Sequence, residues 1–395
     1  MILVYVDDLL IFGSKAINPI IAEIRKEIVM DDLAPIDQYL GCGHRIGTVG
    51  DTTHVEFDMS SYLKSAIEIY KQETGLSVKP CATPFCSELP HDEFLKAVTT
   101  PGKWGKKAAS FLMKLLYAAR CAYPLINKPI TSLASQICKW SVEADRRLHR
   151  IYEFLSNSLD VILTGSLSLR DRLHCRIGAF ADSDLGGDIW SPKSTTGYWV
   201  ELQGLDGRFF PMAWCAKFQG SSSTHTCESE TVALNEVIKR EVIPIQSLME
   251  KLLGRPVEAD LYEDNAACIT SVTKGYSPAM RYIGRTQKVQ LGFLHDVCHV
   301  ESGVDGRGES RGRVVASTDK EDKPITLKKV VTTEQKADIF TKELDKIKFR
   351  ELSSLIGMRS KSTVASAMVA LNSGRGASRG REANLNLDTV FEKVD

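Results

Sequence analysis

The sequence has no C-x-x-C pair among its ten cysteines, no surplus of charge of either sign, and no long apolar run. Each absence closes a class. Scattered cysteines without zinc or redox spacing, and without a basic-apolar-small leader ahead of them, imply reduced thiols in a non-secreted protein. His295, Cys298 and His299 lie close together, but one helical turn of possible ligands with no second cluster does not close a zinc site. With 50 basic against 50 acidic residues, no global field draws the chain to nucleic acid or an anionic membrane, so a nucleic-acid partner would need a local basic groove. A bilayer crossing takes ~20 consecutive apolar residues. A soluble intracellular chain with no membrane partner is expected.

What is present is an ordinary globular composition over 395 residues, enough for two or three domains with cores of their own. In residues 1 to 57, VYVDDLLIF sets Asp7 and Asp8 inside an apolar, strand-forming run that reads as a hairpin closed by Gly13 and Ser14. Asn18 and Pro19 open a short helix from about Ile20 to Val29, and a strand pair follows, ending near Phe57. Residues 58 to about 165 read as helical and connective. Pro80, Pro84 and Pro90 mark a loop, then Phe111, Leu112, Leu115, Leu116 and Ala119 recur at helical spacing, as do Leu148, Ile151, Tyr152 and Leu155. Beside the last group, Arg146, Arg147 and Arg150 form a basic face, either solvated charge or a helix that contacts a nucleic-acid backbone.

From about residue 176 the pattern changes. Strands are expected over Ile177 to Ala181, Gly197 to Gln203 and Arg208 to Lys217, then a long helix from about Cys227 that Pro244 should kink or interrupt. A strand (Ala259 to Glu263), a short helix, a helix from about Tyr282 to Val300, a strand (Ile325 to Val331) and a last helix from about Glu334 complete the unit. Three antiparallel strands followed by alternating helix and strand indicate an α/β fold of mixed, α+β character. Residues 302 to 323 are rich in Gly, Ser and charge and read as a flexible insertion. The tail beyond about 358 reads as disordered, although its RGASRGR stretch could touch RNA.

Four acids in this unit occupy positions that can converge on one sheet edge. Asp182 ends a strand in AFADSDLGG, Glu230 lies in the first turns of the long helix, Asp264 ends a strand in LYEDNAA, and Asp338 lies near the start of the last helix in TTEQKADIFTK. Convergent carboxylates repel unless cations are bound, and hard divalent ions with oxygen ligands meet that need. Two such ions ~3.5 to 4 Å apart can activate a water and stabilise the leaving oxygen in phosphodiester cleavage. Taken singly, each acid also suits a cap or surface role, since Asp338 and Glu230 would favour a helix N-terminus.

The motifs resemble a known family. AFADSDLGG, PKSTTGY, MAWCAKFQ, ESETVALNE, LYEDNAACI, GRTQK and TTEQKADIFTKEL are similar, in that order, to the ribonuclease H domain of Pol polyproteins from copia-type LTR retrotransposons. Upstream, LVYVDDLLIFG, MDDLAPIDQYLG, the ATP of residues 82 to 84 and FLMKLLYAARCAYP resemble the end of that family's reverse transcriptase and its connecting region. The resemblance implies a ribonuclease H-like mixed five-stranded sheet with flanking helices over residues 171 to 357. A helical thumb or connection (58 to 170) and a partial polymerase palm (1 to 57) would precede it.

It further implies that Asp182, Glu230, Asp264 and Asp338 bind two Mg²⁺ (or Mn²⁺) ions and cleave the RNA strand of an RNA–DNA hybrid, recognised through 2′-OH contacts. Glu228 is the alternative helical acid, but Glu230 holds the matching position. Other parts of the Pol polyprotein would be partners, and a cytoplasmic virus-like particle, then the nucleus, the location. Asp7 and Asp8 look like the paired polymerase aspartates. Their third ligand and the template platform would lie before Met1, so DNA synthesis by this chain alone is not expected. Departures from the family pattern occur at Gln287 to Gln290, Tyr123 to Leu125, Ser229, Thr231 and Pro244. They leave open an inactive remnant that acts at most as a nucleic-acid-binding module.

Overall fold

A computed structural model describes residues 2–6, 8–13, 17–300 and 324–361. Asp7, the 302–323 insertion and the RGASRGR stretch lie outside the described residues. Strands β1 (Ile2–Tyr5) and β2 (Asp8–Ile11) form the expected hairpin, with Tyr5 opposite Asp8. Val6 in the turn has φ +53°, the left-handed region that a two-residue hairpin turn needs and a β-branched side chain resists. Helix α1 (Asn18–Glu27) carries Pro19 in its first turn, where a missing N–H costs nothing. Leu40 and Gly41, at φ +51° and +74°, turn β3 (Gln38–Tyr39) into β4 (Cys42–Val49), which pairs antiparallel with β5 (Thr52–Asp58).

Five helices follow: α2 (Ser60–Thr74), α3 (His91–Thr99), α4 (Gly105–Cys121), α5 (Asn127–Ala134) and α6 (Val142–Asn157). Helix α2 buries Leu63, Ala66, Ile67 and Tyr70, α4 buries Phe111, Leu112, Leu115 and Ala119, and α6 buries Leu148, Ile151, Tyr152 and Leu155. That is the three- and four-residue spacing of one helix face. Tyr70 and Tyr152 stack with ring centroids 3.9 Å apart, each ring worth roughly 1.5–3 kcal/mol of burial. The arginines of α6 are neither solvated charge nor a free basic face. Arg146 and Arg147 donate to Glu143, Arg147 also to Glu343, Arg146 to the Ser87 carbonyl, and Arg150 to the carbonyls of Thr83 and Phe85. Arg146 and Arg150 pin the proline-marked loop to the helix, and Arg147 ties the helix to Glu343.

Strand β6 (Val161–Ser168), in a stretch read as helical, pairs with β5 and extends the first sheet. After α7 (Asp171–His174) the second sheet begins with β7 (Arg176–Asp184), β8 (Thr195–Gln203) and β9 (Phe209–Phe218), an antiparallel meander. Helix α8 (Thr226–Val237) runs through a π-helical turn (Ile238–Val242) into α9 (Ile243–Leu253). Here the expected interruption at Pro244 takes the form of that turn: the Ile243 N–H bonds to the Ile238 carbonyl, and the proline falls in the first turn of a new α-segment, where it is tolerated.

Strand β10 (Ala259–Glu263) lies parallel to β7; α10 (Ala266–Lys274), α11 (Ile283–Thr286) and α12 (Leu291–Val297) follow, then β11 (Cys298–Val300) and β12 (Ile325–Lys329). The sheet order is β11-β12-β10-β7-β8-β9, so it has six strands where five were expected. The added strand is the end of the segment read as one helix to Val300. Lys288, at φ +59°, breaks that helix, and the Val-Cys-His-Val run favours an extended backbone once it does. His295 and Cys298 therefore sit on different elements, not on one helical turn.

The last helix also differs. Two 3-10 turns, Thr332–Glu334 and Lys336–Phe340, precede α13 (Lys346–Leu355), which starts where the Asp345 carboxylate accepts the Ile347 and Lys348 N–H groups. Strand β13 (Met358–Ser360) then pairs with β6, so ordered structure continues beyond 357. Strands from the segments expected as palm, connection and tail lie side by side in the order β13-β6-β5-β4-β3. One apolar cluster joins α2, α4 and α6 to Phe180 and Trp199 of the second sheet and to Phe340 of the 3-10 turn. Among the described residues no helix is long and apolar enough to cross a membrane.

Candidate metal centre

Asp182 stands on β7, the central strand, and is buried to 2% exposure; Glu230, on the second turn of α8, is buried to 3%. Asp264 follows the C-terminal end of β10, the parallel neighbour of β7. Carboxylate oxygens of these three residues all lie within 4.8 Å of one another. The fourth acid, Asp338, is not part of that triple. It sits on the 3-10 turn Lys336–Phe340 and joins through Lys342, whose Nζ lies 2.7 Å from Asp338 Oδ1 and 3.4 Å from Asp182 Oδ1. Asp8 is exposed on its own two-stranded hairpin and is not one of the three.

The scaffold places each carboxylate. Gln335 donates to the Ala181 carbonyl at 2.9 Å, and Phe340 stacks on Trp199 with centroids 6.3 Å apart, so the 3-10 turn lies against β7 and β8. Gly197, paired with Asp182 in the ladder, permits the approach: a Cβ there would meet Thr341 Cγ2 at 2.6 Å and Phe340 Cβ at 2.8 Å. The Thr341 hydroxyl donates to Asp182 Oδ2. Ser183 donates to Ser229 Oγ at 2.8 Å, tying β7 to the helix turn that carries Glu230. Asn265 caps α10 by accepting the Ala267 and Cys268 N–H groups, which fixes Asp264 just ahead of a helix start.

The two helical acids differ in how far they are engaged, although Glu228 Oε1, like Glu230 Oε2, is buried without a hydrogen-bond partner among the described residues. Glu228 Oε2 accepts from the Thr224 N–H, the Thr224 hydroxyl and the Tyr282 hydroxyl, so it holds the loop that enters α8. Glu230 Oε2 is buried with no hydrogen-bond partner among the described residues. A buried carboxylate oxygen without a donor is costly. At Glu230, where Asp182 and Asp264 bring further carboxylate oxygens within 4.8 Å, a cation is the natural partner.

Electrostatics agree with that reading. Burial, helped by repulsion from Asp338 and Asp264, outweighs Lys342 and the Thr341 hydroxyl and pushes the Asp182 carboxyl up to about 7. Burial and the neighbouring Glu263, Asp182 and Asp264 drive Glu230 well above the ordinary range, and burial raises Asp338 too. Burial works against the Lys342 charge, but Asp182, Asp338 and Asp264 outweigh it and hold the ammonium above the usual lysine range. A divalent cation among these oxygens would reverse the repulsion. The donor set, all hard oxygen, fits Mg²⁺ or Mn²⁺.

Glu263, Thr341 and Lys342 escaped the sequence reading. Glu263 is fully buried beside Asp264, with Oε1 accepting the Asn265 N–H and Oε2 lacking a partner among the described residues. All three adjoin residues already singled out, in LYEDNAA and ADIFTK. Residue type gave Lys342 and Thr341 no claim to a carboxylate site. The departures from the family pattern are built into the packing: Gln287 donates to the Ser221 carbonyl and Ser223 hydroxyl, Val289 is buried, and Thr231 donates to the Cys227 carbonyl.

No protein-family model matches the chain. It is related to the Pol polyproteins of retrotransposons, and the likeness supports a retrotransposon Pol-derived protein. One relative is the retrovirus-related Pol polyprotein from transposon TNT 1-94 of Nicotiana tabacum, 24% identical over 366 residues. That match takes in 91% of this chain and 24% of the polyprotein's length, so the chain spans about a quarter of the relative it matches.

Proposed function

We propose that the second unit is a ribonuclease H-type endonuclease that hydrolyses the RNA strand of an RNA–DNA hybrid. The observation that carries this reading is the approach of Asp182, Glu230 and Asp264 within 4.8 Å, with Asp338 linked to Asp182 through Lys342. The sheet supports it: an antiparallel meander followed by parallel strands that alternate with helices is the mixed sheet that the resemblance implies, here with β11 added at the edge. Asp182, Glu230, Asp264 and Asp338 would hold Mg²⁺ or Mn²⁺, with two ions expected. Bound there, the metal would supply a lowered pKa for a water and charge stabilisation for a leaving oxygen. The protein's own part is to hold the carboxylates on rigid elements around the end of the sheet.

The reading calls for a divalent ion and a ribose 2′-OH. In a comparison of an RNA–DNA hybrid, a DNA duplex and an RNA duplex, each with Mg²⁺ and with EDTA, only the RNA strand of the hybrid with Mg²⁺ should be cut. Cleavage in EDTA, or of the DNA duplex, would contradict it.

A further inference from the structure

Both oxygens of Asp182 are engaged: Oδ2 accepts the Thr341 hydroxyl, and Oδ1 lies 3.4 Å from Lys342 Nζ, which also bonds Asp338 Oδ1 at 2.7 Å. Glu230 Oε2 has no donor among the described residues. A cation drawn to Glu230, Asp182 and Asp264 therefore meets one oxygen edge that is free and another already shared with an ammonium. The backbone explains why the lysine is there. The Lys342 N–H bonds to the Asp338 carbonyl at 3.0 Å, so the chain turns back and the side chain spans four residues to its own turn's carboxylate. Its side chain is 37% exposed, against 2% for Asp182 and 4% for Asp338, so Nζ has a route to solvent that the carboxylates lack.

Resting on the nuclease reading above, we infer that Lys342 is a tethered counter-ion of the metal centre. It holds Asp182 and Asp338 together in the metal-free protein, gives up its carboxylate oxygens when a divalent ion binds, and so sets the affinity for that ion. It is a positioning residue for the ion-binding carboxylates. Three or four carboxylates converging without a cation would repel one another, and a lysine placed on the same turn as one of them supplies the missing charge locally. Binding of the ion must then displace an ion pair, which weakens the observed affinity by the free energy of that pair.

The experiment uses the full chain and Mn²⁺ alone, with no nucleic acid. Lys342→Gln should bind Mn²⁺ at least roughly fivefold more tightly than wild type by calorimetry, and Lys342→Arg should stay near wild type. In the wild-type protein, acylation of the Lys342 amine, followed by mass spectrometry, should be slow in EDTA and quicken when Mn²⁺ is added. This second readout needs no variant to fold. Equal or weaker Mn²⁺ binding by Lys342→Gln, or Mn²⁺ that leaves Lys342 acylation unchanged or slower while wild type binds the ion, overturns the inference alone. Absence of Mn²⁺ binding by both wild type and Lys342→Gln overturns the nuclease reading with it.

Discussion

Gly197 on β8 lies directly opposite Asp182 on β7, and its missing side chain is the space into which Thr341 and Phe340 fit. A single Cβ there would need the 3-10 turn carrying Asp338 to move by about half an ångström or more. Gly197→Ala should therefore cost roughly 1–3 kcal/mol of stability by overpacking and separate Asp338 from Asp182. Gly292→Ala, where nothing lies within 4 Å, is the control and should be neutral or slightly stabilising, as helix propensity dictates. Urea unfolding of both variants checks the stability, and hybrid cleavage checks the geometry. A fully stable, active Gly197→Ala protein would contradict the account.

The two glutamates of α8 should respond in opposite ways. Glu228→Gln weakens three hydrogen bonds that hold the entry loop, so it should lower stability by about 1–2 kcal/mol with or without a divalent ion. Glu230→Gln replaces a buried carboxyl whose Oε2 has no donor among the described residues and whose charge burial and the neighbouring acids already disfavour, so it should leave metal-free stability unchanged or higher. It should abolish the stabilisation that Mg²⁺ or Mn²⁺ confers. Thermal unfolding in EDTA and in Mn²⁺ distinguishes them, and an equal loss in both media for Glu230→Gln would count against its assigned role.

Acid should expose the anchoring of the proline-marked loop. Burial disfavours the Glu143 charge, but hydrogen bonds from Arg146 and Arg147 outweigh it and hold the carboxyl below the usual range. A group with a depressed folded value contributes stability above its unfolded value, about 4.3, and loses it as pH falls through the folded value. The stability difference between wild type and Glu143→Gln, about 1–3 kcal/mol at neutral pH, should thus hold down to about pH 5 and shrink below about pH 4. Urea unfolding at a series of pH values measures it. A difference constant from pH 7 to pH 3 would show that the carboxylate charge is not what holds the loop.

Removing the stack under the fourth carboxylate should act at a distance. Phe340 is fully buried against Trp199, and Phe340→Ala should cost about 3–5 kcal/mol while leaving Asp182, Glu230 and Asp264 on their own elements. Mn²⁺ binding should persist but weaken, because Asp338 loses its footing. Unchanged affinity in a folded Phe340→Ala protein would place Asp338 outside the metal centre.

How much of this could be read from the chain differs by element. Helix faces such as Leu148, Ile151, Tyr152 and Leu155 were legible because burial follows the helical period, and the meander of β7, β8 and β9 because its strands are apolar and neighbours in sequence. Strands β6 and β13 were not, since they pair across nearly two hundred residues, Val161 with Ser360, and a three-residue strand has no period to detect. The four acids could be named from their places in motifs. Lys342 could not, because a lysine becomes a counter-ion only through the turn that brings it back onto Asp338. The basic face of α6 could be seen but not the loop carbonyls and acids it serves, and the 3-10 form of the Asp338 segment depends on Gly197 and Trp199 from another strand.

The most direct measurement is cleavage of an end-labelled RNA strand in an RNA–DNA hybrid by the full chain in Mg²⁺, compared with Asp182→Asn. The account expects cuts within the RNA by the wild-type protein and a loss of at least about a hundredfold in Asp182→Asn, with the variant as stable as wild type or more so in EDTA. Cleavage that survives in Asp182→Asn, or a folded wild-type protein that binds the hybrid and Mg²⁺ without cutting it, would contradict the assignment of these carboxylates to catalysis.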